Sequence, residues 1–194
     1  MKIASTRSVV PEQVRYTRVA ITLHWIIAAV IAFTFGLGLY MAQLPVSPLK
    51  LRLYSYHKWI GVTIFLLVVF RLAWRLTHRV PAPPLRMPGW QRRAAAISHA
   101  LLYVLTLVIP VSGWLFSSAS GFKVMYLGKI PLPDLVDKNK ALAEQLQLTH
   151  ELLNYVMAAV VVLHVAAALK HHWMDGDDVL QRILPAFRAR SQSQ

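Results

Sequence analysis

The chain has 194 residues, of which 56% are hydrophobic and only 15% are charged, and its mean hydropathy is +0.47. No ordinary soluble domain of this length has that composition, so we expect an integral membrane protein. The net charge of +13 is also typical of nucleic-acid-binding proteins. Here the charges flank long apolar segments, so we expect no nucleic acid partner. The absence of cysteine excludes disulfides, iron–sulfur clusters and covalently attached haem.

Four segments are long and apolar enough to cross a bilayer as helices, which takes about 20 residues. The polar arm before the first of them is followed by no cleavage pattern, so we expect this span to be retained and not removed as a signal peptide. The sequence predicts one membrane domain over residues 19–170, between an arm (1–18) and a tail (171–194). The four spans are Val19–Ala42, Leu53–Trp74, Ala94–Ser118 and Leu148–Lys170.

The distribution of lysine and arginine predicts the orientation of these spans. Fourteen of these residues lie in the arm, the second connection and the tail, and seven lie on the opposite side of the predicted membrane. Basic loops face the cytoplasm, so both termini are predicted to be cytoplasmic. The expected fold is all-α, an integral membrane four-helix bundle in a lipid bilayer.

The third connection, about residues 119–147, is the longest. Its second half has leucines and alanine at helical spacing among charged residues: Leu135, Leu142, Ala143 and Leu146. We expect a short amphipathic helix there, lying on the membrane surface and leading into the fourth span.

Four histidines lie inside the predicted spans, and they match in depth as two pairs. His150 and His164 are 14 residues apart on the fourth span, which puts them on one helix face and roughly 21 Å apart along the axis. The alternating direction of the spans places His24 level with His164 toward the cytoplasm, the inner pair. It places His57 level with His150 toward the outside, the outer pair.

An imidazole in hydrocarbon is costly, so it normally has a partner or a function. A single membrane histidine is often only a hydrogen-bond partner between helices, and four structural histidines would suit a haem-free transporter or scaffold. Zinc requires ligands clustered at one point, whereas a bis-histidine haem uses two. The paired depths therefore predict two b-type haems, with iron ligands His24, His57, His150 and His164. We expect a hydrogen-bonded structural role for His99, with a haem propionate or quinone contact as the alternative.

Three further residues share the faces of these histidines. Gly61, one turn after His57, allows a porphyrin to approach or serves only close helix packing. Arg71, 14 residues after His57, either pairs with the propionates of the inner haem or extends to the membrane interface. His171, seven residues beyond His164 and about 10 Å further inward, either borders a quinone pocket or is a solvated helix end.

Motifs over nearly the whole chain beyond the arm resemble those of the bacterial cytochrome b561 family. The motif set with its 14-residue histidine spacing is specific, whereas each motif alone is weak. The matching segments are Thr22–Trp25, Tyr56–Gly61, Val108–Gly113, Tyr126–Pro133, Thr149–Glu151 and Leu163–His172, with His99 in the third span.

The resemblance implies a four-helix, di-haem b-type cytochrome of the bacterial inner membrane that exchanges electrons with a quinone such as ubiquinone. One branch of the family oxidises superoxide at the periplasmic face and reduces ubiquinone. Other members are cytochrome subunits or relay electrons for periplasmic redox proteins, so the donor stays open between superoxide and a protein.

Lys58 is the candidate catalytic residue at the outer site because it directly follows His57. Bis-imidazole ligation leaves no open iron position, so electrons are expected to pass through the haem edge. A lysine there would steer a small anion such as superoxide, or it would only anchor the helix at the interface. The leading functional hypothesis is a superoxide:quinone oxidoreductase, and the alternative is a cytochrome anchor for a periplasmic protein.

Overall fold

The computed structural model describes residues 15–84 and 87–185, which form four long helices, one short helix and a small β-hairpin. Each long helix is apolar enough to cross a membrane, with a mean hydropathy between 1.8 and 2.2 in its most apolar part. The predicted all-α membrane bundle is therefore confirmed. The elements are α1 Arg18–Gln43, α2 Pro48–Thr77, α3 Gly89–Ala119, β1 Met125–Tyr126, β2 Ile130–Pro131, α4 Lys140–Trp173 and α5 Val179–Ile183.

Residues 1–14 and 186–194, which hold most of the predicted arm and part of the tail, lie outside the described residues. The domain boundaries at 18 and 170 stay predictions. We call the end of the bundle where α1 begins and α4 ends the terminal end, and the opposite end the loop end.

Polar residues set the starts of three long helices. The side chains of Thr17, Ser47 and Asn139 each accept a hydrogen bond from the backbone amide three residues on, at 3.2, 3.3 and 3.0 Å. Such caps satisfy amides that have no partner within the helix. Because the caps lie outside the apolar segments, α2 and α4 begin five and eight residues before the predicted spans.

The helix predicted before the fourth span is confirmed from residue 140 onward, but it is the first part of the spanning helix and not a separate helix on the membrane surface, and it does not include Leu135. Residues 140–173 form one continuous helix, α4, which begins at the Asn139 cap. No glycine or proline interrupts this stretch, so nothing breaks the hydrogen-bond ladder between its polar and apolar parts. Its 34 residues span roughly 50 Å, well beyond the roughly 30 Å of bilayer hydrocarbon.

A β-hairpin at the loop end folds onto α2. Strands β1 and β2 pair antiparallel, and the turn between them contains Leu127 and Gly128, both with positive φ (53° and 70°). A Cβ on Gly128 would lie 3.3 Å from the Trp59 ring, so glycine serves here both the turn and the close approach. Tyr126 is also hydrogen-bonded to Thr63 of α2 through their hydroxyls, at 3.2 Å. The sequence had not predicted these strands.

The helices pack in the order α1–α2–α3–α4, and the buried core lies among the first three. Within the described residues, α4 makes few close backbone contacts with α1 or α2. We call the space between the backbone of α4 and those of α1 and α2 the cleft. The core consists of Leu23, Ile27, Ile64 and Val68, with Tyr103 and Leu107 of α3 packed against it.

The segment after α4 returns to the bundle at the terminal end. The Trp25 indole nitrogen of α1 donates to the Ile183 carbonyl at 2.9 Å. Arg182 donates to the Ala82 carbonyl at 2.6 Å and pairs with Asp178 at 2.8 Å. These contacts join α5 to α1 and to the connection after α2.

Candidate functional site

The four membrane histidines face each other across the cleft in two pairs. The ring centroids of His57 on α2 and His150 on α4 are 6.3 Å apart. Those of His24 on α1 and His164 on α4 are 6.4 Å apart. All four rings are half-buried. The structure thus brings together the residues that depth matching had paired.

The ring separations suit an iron between the two imidazoles. A metal–imidazole bond is about 2.0 Å long, and the ring centroid lies about 1.2 Å behind the nitrogen, so a bis-imidazole site has centroids roughly 6.4 Å apart. The few close backbone contacts of α4 with α1 and α2 suit a flat group held between the paired rings. The residues therefore fit a haem at each pair.

The hydrogen bonds of His150 determine which nitrogen is free to bind iron. Its Nδ1 lies 3.1 Å from the Ile109 carbonyl oxygen and 2.9 Å from the Ser112 hydroxyl. A carbonyl only accepts, so Nδ1 carries the proton and Nε2 presents its lone pair. The Ser112 hydroxyl donates to the same Ile109 carbonyl at 2.8 Å. Such a second contact orients a metal-binding imidazole and raises its basicity.

Two glycines contact the outer pair, and the sequence had given neither of them a role, although Gly113 is the last residue of the Val108–Gly113 motif. A Cβ on Gly113 would lie 3.0 Å from Cε1 of His150, and one on Gly38 would lie 3.4 Å from Cε1 of His57. The missing side chain at Gly113 is thus what lets the His150 ring lie against α3. The available signal was a glycine in an apolar span directly after Ser112, but nothing in the sequence relates it to His150.

His57 has a buried nitrogen that the protein does not satisfy. Its Nδ1 makes no hydrogen bond within the described residues, although the Thr34 backbone lies beside the ring. An unsatisfied buried nitrogen is costly. The ring thus does not serve as a hydrogen-bond partner between helices through Nδ1, which favours a ligand role over a structural one.

The inner site contains a third imidazole. His99 of α3 has its ring centroid 5.3 Å from that of His164, about 1 Å less than an intervening iron requires. The geometry therefore favours His24 as the partner of His164. Arg71 lies within electrostatic range of all three rings.

The Arg71 side chain is tied to two neighbouring helices. Its Nε donates to the Tyr103 hydroxyl at 3.3 Å, and its Nη1 donates to the Ala20 carbonyl at 3.0 Å. Ala20 lies one turn before His24 on α1. The guanidinium is thus held beside the inner pair, on the side of the terminal end, and pairing with a propionate stays a prediction.

Lys58 lies at the loop end, close to the outer pair in sequence. Its ammonium donates to the Ser117 hydroxyl at 2.8 Å and lies 5.8 Å from the centre of the Phe122 ring. It also lines a pocket of about 200 Å³ that is lined by a second cation, Lys123.

Gly61 lies beside open space, whereas His171 is buried against two carboxylates. A Cβ on Gly61 would meet no atom within 4 Å, so the space beside it is open. His171 is buried, and its Nδ1 lies 2.7 Å from the Asp177 carboxylate and 3.1 Å from that of Asp175. His171 therefore has acidic partners and is not the solvated helix end of the alternative interpretation.

The grouping of possible ligands disfavours a zinc site at the membrane histidines. Among the described residues, the one set of three metal-binding side chains with ligand atoms within 4.8 Å is His171, Asp175 and Asp177. There, the Lys170 ammonium already lies 2.6 Å from Asp175. The outer site has two histidines, the number that a haem iron needs and one too few for a zinc site. At the inner site the possible ligand atoms of His24, His99 and His164 do not all lie within 4.8 Å of one another.

We expect Ser112→Ala to keep the outer haem and to shift its reduction potential. The substitution removes the hydroxyl that contacts His150 Nδ1 but leaves the Ile109 carbonyl, so the ring stays oriented and becomes less basic. The loss of the hydrogen bond should lower the free energy of unfolding by about 1 kcal/mol. Potentiometric titration of the haem absorption measures the shift. Ser98→Ala, on the same helix, is the control and should leave both potentials unchanged.

Long apolar helices with imidazoles paired across a cleft are the architecture of a membrane cytochrome b, a class that transfers electrons within a bilayer. The family described as prokaryotic cytochrome b561 matches residues 15–186. Since this is nearly the whole chain, the protein belongs to the prokaryotic cytochrome b561 family.

Individual relatives extend over most of the chain. Cytochrome b561 homolog 2 of Escherichia coli K12 is 32% identical over 171 residues, which are 88% of this chain and 91% of the relative. Cytochrome b562 of Cereibacter sphaeroides is 32% identical over 153 residues, 73% of this chain and 94% of the relative. A probable superoxide oxidase, CybB of Yersinia pestis, is 26% identical over 186 residues, 90% of this chain and 98% of the relative.

Membership of the family defines the general function. The protein is a multi-pass bacterial membrane protein that binds b-type haem and transfers electrons.

Proposed function

We propose that this protein carries electrons through two b-type haems between a donor on the periplasmic side of the inner membrane and the membrane quinone, with ubiquinone as the expected form. The observation that carries the proposal is that the imidazoles form two pairs. In each pair the rings have the separation that an iron with two histidine ligands requires. Their 14-residue spacing on α4 puts the two sites roughly 21 Å apart along the helix. Haem, when bound, supplies a one-electron redox centre at each site.

The residues around the pairs have distinct roles in this proposal. His57 and His150 hold the outer iron, and His24 and His164 hold the inner one. Arg71 stabilises the negative propionates of the inner haem, and the open space at Gly61 admits the outer macrocycle.

The distribution of basic residues supports the orientation, with the terminal end and both termini in the cytoplasm. His171 would then lie at the cytoplasmic end of α4, where it borders the quinone and its Nδ1 proton is held by Asp177.

Superoxide is the donor that the loop end suits best. Lys58 and Lys123 line a pocket there, and a basic pocket raises the local concentration of a small anion. One similar protein is named a probable superoxide oxidase. The balanced reaction is two superoxide plus quinone plus two protons giving two dioxygen plus quinol. Two superoxide anions each lose one electron, and the quinone gains two electrons and two protons.

The deciding experiment measures the haem-to-chain ratio of the purified protein and then adds superoxide and a soluble ubiquinone. We expect two haems per chain, and quinone reduction without any other protein. One haem or none would overturn the di-haem proposal. Two haems without quinone reduction would favour the alternative, a cytochrome anchor that relays electrons for a periplasmic protein.

We expect Lys58→Gln to slow haem reduction by superoxide several-fold without changing haem content. Lys58 is half-buried at the pocket, where its charge is screened less than one in open solvent. Stopped-flow absorption over a salt series measures this rate, which should fall as ionic strength rises. Lys140→Gln removes the same charge from an exposed side chain that is paired with Glu144 and should change the rate little. A rate indifferent to salt and to Lys58 would contradict superoxide steering.

A further inference from the structure

A basic pocket opens at the terminal end, between the start of α1, the end of α2 and the middle of α3. Three arginines line it, one turn apart on the same face of α2 and just beyond it: Arg71, Arg75 and Arg79. No aspartate or glutamate is among the lining residues of the described chain. The pocket has a volume of about 30 Å³ and is completed by Tyr16, Thr17, Ala20, Trp74, His78, Val80 and Tyr103.

Specific contacts hold the walls of this pocket in place. The Trp74 indole nitrogen donates to the Thr17 hydroxyl at 2.9 Å, which ties α2 to the start of α1. The His78 ring stacks on the Trp74 ring, with 3.8 Å between centroids and 9° between planes. The Arg75 guanidinium lies 5.8 Å from the centre of the Tyr103 ring. These contacts hold Trp74, His78 and Arg75 in the wall of the pocket, and Arg79 is exposed at its rim.

The three arginines differ in how their donors are used. Arg71 donates to Tyr103 and Ala20. In residues 15–84 and 87–185, neither Arg75 nor Arg79 has a carboxylate within ion-pair distance. Like charges one turn apart on a helix repel each other. A bound anion would remove this repulsion and use the free donors.

We propose that this pocket binds the phosphate group of an anionic phospholipid. Arg75 and Arg79 lie at the end of α2, and Trp74 beside them has the amphipathic indole that favours the level of the lipid head groups. Two guanidinium groups present planar pairs of donors that match phosphate oxygens. Basic pockets between helices at the cytoplasmic end of a bundle bind such head groups.

Two other occupants suit the pocket less well. A neutral quinone head group would leave the repulsion among the three arginines in place. A propionate of an inner haem would lie beside Arg71, which is within electrostatic range of His24, His99 and His164. It would leave the donors of Arg79 unused, because Arg79 lies eight residues, or about 12 Å, further along.

Native mass spectrometry of the haem-loaded protein in detergent, titrated with phosphatidylglycerol or phosphatidylcholine, tests the proposal. We expect the wild type to bind one phosphatidylglycerol with an affinity that the Arg75→Gln, Arg79→Gln double variant lowers about tenfold or more, because charge-assisted hydrogen bonds are lost. The matched control is Arg92→Gln with Arg93→Gln, which removes the same charge from exposed residues at the start of α3. Its affinity should match the wild type.

Several results would overturn the proposal. Equal losses in the double variant and the control would indicate only general attraction to charge, and displacement of the lipid by millimolar inorganic phosphate would indicate a free-phosphate site. Haem loss in the double variant would assign the pocket to the propionates, and a raised KM for ubiquinone with unchanged lipid binding would assign it to quinone. Should the double variant fail to fold, Arg79→Gln alone, an exposed position, must still weaken phosphatidylglycerol binding.

Discussion

Replacing either His57 or His150 by alanine is expected to remove the same haem, and replacing either His24 or His164 to remove the other. Each substitution leaves one imidazole facing a gap where two were 6.3 or 6.4 Å apart. A haem iron with one protein ligand is held far less firmly than one with two. The haem-to-chain ratio should fall from two to about one in each variant, and redox titration should show which of two potentials disappears.

His99→Ala is the sharpest control for this pairing because His99 lies even closer to His164 than His24 does. This variant should keep both haems, since the 5.3 Å separation of the His99 and His164 rings leaves too little room for an iron. A shared loss in His57→Ala and His164→Ala, with a different loss in His150→Ala, would contradict the pairing. If His99→Ala lost a haem and His24→Ala kept both, then His99 and not His24 would be the ligand that pairs with His164.

Gly113→Val is expected to abolish haem binding at the outer site and leave the inner site intact. Even a single Cβ at this position would lie 3.0 Å from Cε1 and 3.3 Å from Nδ1 of His150. The imidazole would have to move away from Ser112 and the Ile109 carbonyl, losing the contacts that orient it. A small displacement of a metal-binding side chain commonly removes most of a site's affinity for the metal or cofactor. The haem-to-chain ratio and the reduced-minus-oxidised spectrum measure the loss.

Two milder glycine substitutions serve as controls for Gly113→Val. Gly38→Ala puts a methyl group 3.4 Å from the His57 ring, which is ordinary van der Waals contact, so both haems should remain. Gly89→Ala, at the start of the same helix as Gly113, meets no atom within 4 Å and should change nothing at either site. Full haem content in Gly113→Val would show that His150 is not held against α3 in the loaded protein.

The helices and the histidine pairs were accessible from the sequence because both depend on local regularities. A run of about 20 apolar residues has one stable form in hydrocarbon, the helix that satisfies its own backbone. The 14-residue interval between His150 and His164 determines their shared face through helix geometry alone. The same reasoning reached Arg71 beside the inner pair.

Contacts across helices were decided only by the tertiary structure. The contact between Gly113 and His150 depends on how α3 and α4 are rotated and tilted against each other. The same is true of the pocket that Arg75 and Arg79 line with Trp74. The spacing of residues within one segment does not determine these rotations. The start of the continuous α4 depended on the Asn139 cap, and the hairpin on Trp59 depended on a turn with two positive φ angles. Both are weaker signals in the sequence than the apolar pattern. The length of an apolar segment and the period of a helix are properties of one segment, so its sequence predicts where the helix lies and which residues share a face. The fit of one side chain against another depends on atoms far apart in the chain and exists only after the helices have packed.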